Sequence, residues 1–393
     1  MSGFSRHSRE VICSGPIAHR HPQDKIYSAC SNGRCSAKER EVLPEKPVDC
    51  RYHLFRPKRV DLPVCPTCGQ FASVRVCPEC KYEIPAPNGP FTIAVVGSSS
   101  SGKTCFITML IHQIKTYLAR PDLLRTSAEF ETQAGREYFD DKYRKIFVEK
   151  CVPEANQKES TIKTIQITVR FPLEPRFPFY RKSQAVLSLG FPDPSGEPLE
   201  DMEHPYFCEF LQTCSAVLLM VDPFAMLAYQ NKLRDAGEDV SSYLYLRDAT
   251  YPLNKVIKAI RMQSPKGMLK QQLAVVLTKC DAEGLFNPDR EYDVKPDGSR
   301  EKFPKHGIPY MPKLTDRISQ RVAEHLTNDL GMASLVAMAE NNFRDVRFFA
   351  ASALGSAPVT EVRDGEEVKR LIDPEPTRVE EPFLWILNRW GYI

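Results

Sequence analysis

Residues 91–104 read FTIAVVGSSSSGKT, and the rest of the chain is best interpreted outward from them. The first six residues form an apolar, largely β-branched run, which predicts a buried strand. Residues 97–104 then have the spacing G-x4-G-K-T, and apolar side chains recur at helical intervals through residues 105–119. A strand, a small-residue loop and a helix in this order predict a phosphate-binding loop, because backbone N–H groups converge there at the positive end of the helix.

The residue types of this loop assign roles to individual positions. In this motif Lys103 reaches the outer phosphates of a nucleotide, and the hydroxyl of Thr104 is a ligand for Mg²⁺. The loop alone does not distinguish ATP from GTP. The residues expected to contact the nucleotide are Gly97, Ser98, Ser99, Ser100, Ser101, Gly102, Lys103 and Thr104.

A second motif indicates which base is bound. The apolar run 273–277 predicts a strand, and it ends in Thr278-Lys279-Cys280-Asp281. A carboxylate at Asp281 can accept hydrogen bonds from the N1–H and N2–H₂ groups of guanine, which adenine does not offer in that arrangement. The aliphatic stem of Lys279 can pack on the ring. The alternative is a surface ion pair of a lysine and an aspartate.

Two weaker motifs also follow predicted strands. The run 185–191 leads into Asp-Pro-Ser-Gly-Glu at residues 193–197, and the run 346–351 leads into Ser352, Ala353 and Leu354. Residues 215–222 predict a further central strand between them. Each of these short motifs is common alone, but all of them occur after a strand and in a fixed order.

With GSSSSGKT, DPSGE, TKCD and SAL in this order over residues 91–355, the chain resembles the TRAFAC-class P-loop GTPases. More narrowly it is similar to the bacterial double-GTPase family of the second type. The resemblance implies a Ras-like, three-layer α/β domain with a mostly parallel sheet, binding of GTP or GDP with Mg²⁺, and action as a switch in a multi-protein system, such as one of bacterial conflict or signalling.

The resemblance also implies the parts of a hydrolytic site. Asp193 would hold a water on Mg²⁺, and the N–H of Gly196 would meet the γ-phosphate, beside the catalytic Lys103. Glu197 stands where many GTPases have the glutamine that orients the attacking water. A carboxylate can accept from that water but cannot donate to the phosphate, so we expect slow hydrolysis without an activator.

The resemblance implies two further contacts, one with Mg²⁺ and one with the guanine base. The switch threonine that binds Mg²⁺ should lie just before the alternating strand near residues 164–170, and Thr161 is our choice, with Thr164 and Asn156 as alternatives. The SAL residues Ser352, Ala353 and Leu354 are expected to place a backbone N–H against the guanine oxygen.

Cysteines are concentrated before the P-loop: eight of the 13 fall in the first 80 residues. The set Cys65-x2-Cys68 and Cys77-x2-Cys80 predicts a zinc ribbon, because four thiolates close a tetrahedral Zn²⁺ site. Upstream, the loosely spaced Cys30, Cys35, Cys50 and His53 could form a second metal site, but ordinary thiols in a basic arm are the favoured interpretation.

Composition limits the other functional classes. The chain has 393 residues, 42% hydrophobic and 26% charged, with a formal net charge of +3. This near balance does not favour nucleic acid as a partner, although binding through the basic N-terminal arm stays possible. No apolar run is long enough for a membrane helix, so we expect a cytoplasmic protein without a membrane span.

These observations predict four segments. Residues 1–64 are a basic cysteine-containing arm, 65–82 the zinc ribbon, 83–90 a Pro- and Gly-rich linker, and 91–393 a P-loop GTPase domain with insertions. The expected partners are a guanine nucleotide and an unidentified protein effector or activator. Alternative functions are a GTP-binding scaffold with little turnover, a nucleic-acid-binding zinc-ribbon protein regulated by nucleotide, and an ATPase.

Overall fold

The chain divides into two units, Met1–Pro90 and Phe91–Ile393, in the computed structural model. Within the larger unit the structure describes residues 91–98, 100–153, 163–173, 183–193, 211–212, 214–246, 249–262, 266–294, 300–303, 310–363 and 366–393. Within the smaller unit it describes seven short strands, Glu10–Ile12, Arg20–Pro22, Tyr27–Ala29, Leu43–Pro44, Lys46–Pro47, Val60–Asp61 and Val74–Arg75.

The predicted metal ligands of the smaller unit lie outside the described residues. The described strands there pair antiparallel, as in Glu10–Ile12 with Arg20–Pro22 and Tyr27–Ala29 with Val74–Arg75. The candidate metal ligands outside the description are Cys30, Cys35, Cys50, His53, Cys65, Cys68, Cys77 and Cys80.

The larger unit alternates strands and helices. Its strands are β1 (Phe91–Gly97), β2 (Ser127–Phe130), β3 (Lys163–Leu173), β4 (Ser183–Asp193), β5 (Ala216–Val221), β6 (Leu269–Leu277), β7 (Tyr292–Val294), β8 (Arg300–Lys302), β9 (Phe343–Ala350), β10 (Val359–Arg363) and β11 (Glu366–Arg370). Its helices are α1 (Lys103–Lys115), α2 (Gln133–Phe147), α3 (Leu227–Asp235), α4 (Thr250–Arg261), α5 (Pro312–Asn328), α6 (Ala333–Asn342) and α7 (Glu381–Arg389).

Seven of these strands form one sheet in the order β9-β6-β5-β1-β4-β3-β2. Neighbours from β9 to β4 are parallel, whereas β4 with β3 and β3 with β2 are antiparallel. The predicted three-layer α/β domain with a mostly parallel sheet is therefore confirmed. The edge strand β2 was not predicted, because its sequence, SAEF, is too short and too polar to give a periodic signal.

The sheet has a core on each face. Along β5, Val217 and Leu219 pack into the core that includes α4, α5 and α6, whereas Leu218 and Met220 pack into the core that includes α1, α2 and α7. A parallel strand buried on both faces reads as a continuous apolar run, which is why β5 was recognisable from sequence. A charged helical pattern over residues 135–151 and an apolar stripe in the tail EEPFLWILNRW also predict helices, and these correspond to α2 and α7.

One helical segment differs from expectation. The apolar spacing predicts helix through residues 314–343, but the structure has two helices, α5 and α6, separated around Gly331, which has φ of 69°. A left-handed glycine ends a helix readily, and the apolar face continues across the break. Among the described residues, no helix is long and apolar enough to cross a membrane.

Candidate functional site

The carboxyl ends of four parallel strands meet at one edge of the sheet. In the registers, Gly97 at the end of β1 lies opposite Met220 of β5, and Val221 lies opposite Leu277 of β6. Leu277 in turn lies opposite Ala350 of β9. The loops that begin after these strands, including the predicted P-loop, TKCD and SAL segments, therefore start at the same edge, where ligands bind in open α/β sheets.

The P-loop turns tightly into α1. The buried ammonium group of Lys103 donates to the carbonyl oxygens of Gly97, at 3.0 Å, and Ser98, at 2.8 Å, so it lies across the loop. Gly102 precedes the helix with φ of 84° and supplies no side-chain cap. The N–H groups of the first helical turn therefore have no capping side chain from this residue, and they are suited to an anion.

The loop residues fit a phosphate group with a hard cation. A Cβ at Gly97 would lie 2.6 Å from the Oγ of Ser101 and 2.8 Å from the carbonyl oxygen of Met220, so the loop packs directly on β5. The Oγ of Ser101 is buried and has no hydrogen-bond partner among the described residues. Backbone N–H groups and the Lys103 amine suit phosphate oxygens, and the Thr104 hydroxyl suits Mg²⁺.

The TKCD loop is anchored to the end of β5. The backbone N–H and the Oγ1 of Thr278 both donate to the carbonyl oxygen of Val221, at 2.9 and 3.0 Å. Lys279 has a left-handed backbone, with φ of 55°. Such a conformation is uncommon for a lysine and costs free energy that the surrounding bonds must offset.

Lys279 forms an ion pair that the sequence did not reveal. Its Nζ donates to the Oδ2 of Asp222 at 2.8 Å, and the Asp222 side chain is fully buried. The other Asp222 oxygen accepts from the N–H of Phe224 at 3.1 Å, and the Lys279 Nζ lies 5.0 Å from the Phe224 ring centroid. The available signal was an aspartate that ends an apolar strand, just as Asp193 does.

Asp281 ends the TKCD motif and is partly exposed. Its carbonyl oxygen accepts from the Nη1 of Arg290 at 3.1 Å, which closes the following turn. A cavity of about 720 Å³ lies beside this turn, lined by residues 281–286, by Arg290 and by part of α5. None of its lining residues belongs to the P-loop, so the cavity is separate from the predicted phosphate site.

The SAL loop lies next to TKCD. The N–H of Cys280 donates to the carbonyl oxygen of Ala351 at 3.4 Å. Ser352 is buried, and its Oγ accepts from the N–H of Gly355 at 2.9 Å, so that hydroxyl is used inside the loop. Ala353 and Leu354 are partly exposed. The two loops predicted to contact the base are therefore in contact with each other.

Four predicted site residues, Ser99, Thr161, Gly196 and Glu197, lie outside the described residues. Asp193 is the last residue of β4, so its backbone reaches the same edge of the sheet. Over the described part of the chain, no group of three or more His, Cys, Asp or Glu residues could hold a metal ion. The P-loop and the two base-side loops thus account for the described site.

A family model for Double-GTPase 2 matches residues 92–354, which is more than half of the chain. The chain belongs to the Double-GTPase 2 family. The matched region begins in β1 and ends in the SAL loop, so it contains all four motifs quoted from the sequence. The predicted family is confirmed. Membership in it indicates that this Double-GTPase 2 chain is a guanine-nucleotide-binding protein. Comparison with curated proteins finds no match.

Three matching solved structures share low sequence identity with this chain. The chain is 12% identical to the signal recognition particle receptor SRb-GTP/SRX complex from Chaetomium thermophilum, covering 68% of this chain and 93% of that one with a TM-score of 0.29. It is 12% identical to the S. cerevisiae Ski7 GTPase-like domain bound to GTP, covering 77% of this chain and 51% of that one with a TM-score of 0.30. A third match is sup35 complexed with GDP, at 10% identity, with 67% and 37% covered and a TM-score of 0.23.

Proposed function

We propose that this chain binds GTP and GDP with Mg²⁺, hydrolyses GTP slowly, and acts as a nucleotide-dependent switch within a multi-protein system, such as one of bacterial conflict or signalling. One observation carries the proposal: the loops after β1, β5, β6 and β9 begin at one edge of the sheet, with Lys103 folded across the P-loop. Membership in the Double-GTPase 2 family supports the same function.

On the phosphate side, the P-loop N–H groups and Lys103 would hold the β- and γ-phosphates. Lys103 already lies against the carbonyl oxygens of Gly97 and Ser98, so little reorganisation is needed when it turns toward phosphate oxygens. Thr104, Asp193 and the switch threonine, for which Thr161 is our choice, would hold Mg²⁺. That ion would neutralise charge that develops on the phosphates.

On the base side, Asp281 would accept from the two donors of guanine, while Thr278 and the SAL residues fix the loops around the ring. The ion pair of Lys279 with Asp222 holds the lysine stem in one orientation, so its aliphatic part can pack on the base. A site built for those two donors rejects adenine because the carboxylate would be left unpaired.

Hydrolysis would proceed by attack of a water on the γ-phosphate, with bond cleavage to the β-phosphate oxygen and release of GDP and phosphate. Gly196 and Glu197 would stand beside that water. Because Glu197 carries a negative charge and cannot donate to the phosphate, turnover is slow unless a partner supplies a cation. A switch of this kind changes state when the γ-phosphate contacts are lost.

The test is single-turnover hydrolysis of GTP and ATP with Mg²⁺, together with binding of both nucleotides, by the wild type and Lys103→Ala. We expect GTP-selective turnover that falls on the order of 100- to 1,000-fold in the variant, as when one transition-state donor is removed. Lys232→Ala, an exposed lysine on α3, is the matched control and keeps the wild-type rate. Equal turnover of GTP and ATP would contradict the proposal.

A GTP-binding scaffold with little turnover is the second candidate, and the carboxylate of Glu197 favours it. Tight GTP binding without detectable single turnover would establish the scaffold. Turnover restored by Glu197→Gln would show that the carboxylate limits hydrolysis. If the variant also stays inactive, the scaffold is favoured, and turnover that appears only when a partner protein is added would instead show the need for an activator.

The N-terminal unit carries a separate proposal. We infer that Cys65, Cys68, Cys77 and Cys80 hold one structural Zn²⁺, on the strength of their C-x2-C spacing. Metal analysis of the purified chain should give one zinc per molecule, and Cys65→Ser with Cys77→Ser should give none while GTP binding persists. Salt-dependent binding of DNA or RNA that disappears in the same variant would favour the nucleic-acid function instead.

The proposed setting of this switch is the cytoplasm, with a protein effector or activator as partner. Cys151, Cys214 and Cys280 are described as thiols outside any disulfide, which suits a reducing compartment.

A further inference from the structure

A segment that ends at the first residue of α7 lies against both base-side loops. We call residues 371–381 the C-terminal strap. Ser352 and Thr377 exchange two backbone hydrogen bonds, at 3.0 and 2.8 Å, and the N–H of Glu375 donates to the carbonyl oxygen of Leu354 at 3.1 Å. The SAL loop is therefore paired with the strap over several residues.

The fit between the strap and the SAL loop is close. A Cβ at Gly355 would lie 2.1 Å from the carbonyl oxygen of Glu375, so this position accepts only glycine unless the strap moves. Gly355 also donates its N–H to Ser352 at 2.9 Å. The conformation of the SAL loop thus depends on the place of the strap.

The strap reaches the TKCD side through a buried ion cluster. Arg378 is fully buried, and its Nε donates to the Oδ1 of Asp289 at 2.7 Å. Its Nη1 donates to the Oε1 of Glu381, whose side chain is also buried. Removing one partner from such a cluster leaves a buried charge without compensation, which is strongly unfavourable.

Asp289 belongs to the turn that follows TKCD. Its N–H donates to the Oδ1 of Asn287 at 3.0 Å, and the neighbouring Arg290 donates to the carbonyl oxygen of Asp281 at 3.1 Å. A continuous set of bonds therefore runs from Arg378 through this turn to the residue proposed to recognise guanine. Through the Ser352 and Thr377 bonds, the same strap also fixes the second base-side loop.

The backbone at Arg378 indicates that its side chain is needed there. The residue has φ of 54°, in the left-handed region that non-glycine residues rarely adopt. The two ion pairs of the guanidinium can offset this strain, and a lysine cannot reproduce their forked geometry.

We propose that Arg378 is a positioning residue for base recognition: from the C-terminal strap it holds the turn after TKCD, and with it Asp281, in the orientation that selects guanine. This inference rests on the proposed function, since it concerns how the same site distinguishes bases. Because Arg378 is fully buried and paired with Asp289, its effect would be carried by Asp289 and the turn.

The experiment measures the Kd of GDP and of IDP for the wild type, Arg378→Lys and Asp289→Asn, and the Kd of ADP for the wild type. Hypoxanthine, the base of IDP, lacks the 2-amino group of guanine. The Kd of IDP divided by the Kd of GDP therefore reports on the Asp281 contact with that group. We expect this ratio to fall about tenfold in both variants, the size of a coupling of about 1.4 kcal/mol. A role limited to stability would weaken GDP and IDP binding by the same factor and leave the ratio unchanged.

Two controls separate the possible outcomes. Arg389 lies in α7, the helix that contains Glu381, and forms an ion pair with Asp345. Arg389→Ala removes that ion pair and should leave the ratio at the wild-type value. If Arg378→Lys fails to fold, Asp289→Asn tests the same link from the loop side. Wild-type selectivity with unchanged ratios in both variants would overturn the positioning role alone, whereas a wild type that does not prefer GDP over ADP would overturn the proposed function as well.

Discussion

The phosphate side and the base side of the site are built in different ways. The P-loop part of the phosphate side comes from one continuous stretch, β1, the P-loop and α1, in which Lys103 bonds to residues five and six positions away. The base side is assembled from distant segments, joined by bonds such as Lys279 to Asp222 and Arg378 to Asp289, which are 57 and 89 residues apart. A substitution at one position of the P-loop can therefore disrupt phosphate binding, whereas the base side depends on ion pairs between residues that are distant in sequence.

The largest loss of GTP affinity in this comparison should come from a steric clash in the P-loop. Gly97→Ala places a Cβ within 2.8 Å of the Met220 carbonyl oxygen, so the P-loop must shift away from β5. We expect a loss of about 30- to 100-fold in GTP affinity, equivalent to the roughly 2–3 kcal/mol of an overpacked site. Isothermal titration with GTP checks this.

Gly237→Ala is the control for this prediction. Its φ is 86° but nothing lies within 4 Å of the added Cβ, so it introduces backbone strain far from the loop without a clash. An equal loss of affinity in the two variants would show that the P-loop does not depend on this close approach.

The second effect concerns a pair on the base side. Lys279→Ala leaves the fully buried Asp222 carboxylate without its cation, which should lower the free energy of unfolding by about 2–3 kcal/mol. In an Asp222→Asn background the same change should cost less than about 1 kcal/mol, because no charge is left unpaired. Urea denaturation of the four proteins measures the coupling. Additive losses would show that the ion pair contributes nothing to this side.

The smallest effect is a pH dependence of stability that comes from Glu381, where the strap meets α7. Burial, followed by the nearby Glu380 and Asp289 carboxylates, raises the pKa of Glu381 from 4.5 to about 7, even though Arg378 acts to lower it. A raised carboxyl pKa gives stability that is complete below the unfolded pKa and is lost as the pH rises through the folded value. Between pH 6 and pH 8 the free energy of unfolding should fall by about 1 kcal/mol, which corresponds to a Tm decrease of about 1–2 °C.

Glu381→Gln should remove that part of the pH dependence. Thermal melts of wild type and variant at pH 6 and pH 8 give the comparison, and other titrating groups cancel in the difference. A wild type that loses no more stability than Glu381→Gln over this interval would contradict the raised pKa.

The contrast between the two sides also explains what could be predicted from the sequence. The P-loop and the central strands were recognised because their signals are local: small residues at fixed spacing, and apolar runs bounded by polar motifs. The TKCD motif gave a local signal of the same kind, and its loop lies next to the SAL loop. Asp222, Asp289 and Arg378 were missed, because a charged residue buried by long-range pairing has no periodic signal in one sequence. The division of α5 from α6 at Gly331 was missed because the apolar face continues through it.

The central claim is that the base side recognises guanine through Asp281. The most direct test is equilibrium binding of GTP, ATP and XTP to the wild type and to Asp281→Asn. We expect the wild type to prefer GTP, and the variant to lose GTP affinity on the order of 100-fold while gaining affinity for XTP, whose 2-oxo group can accept from the asparagine amide. A wild type that binds ATP as tightly as GTP, or a variant with unchanged selectivity, would contradict it.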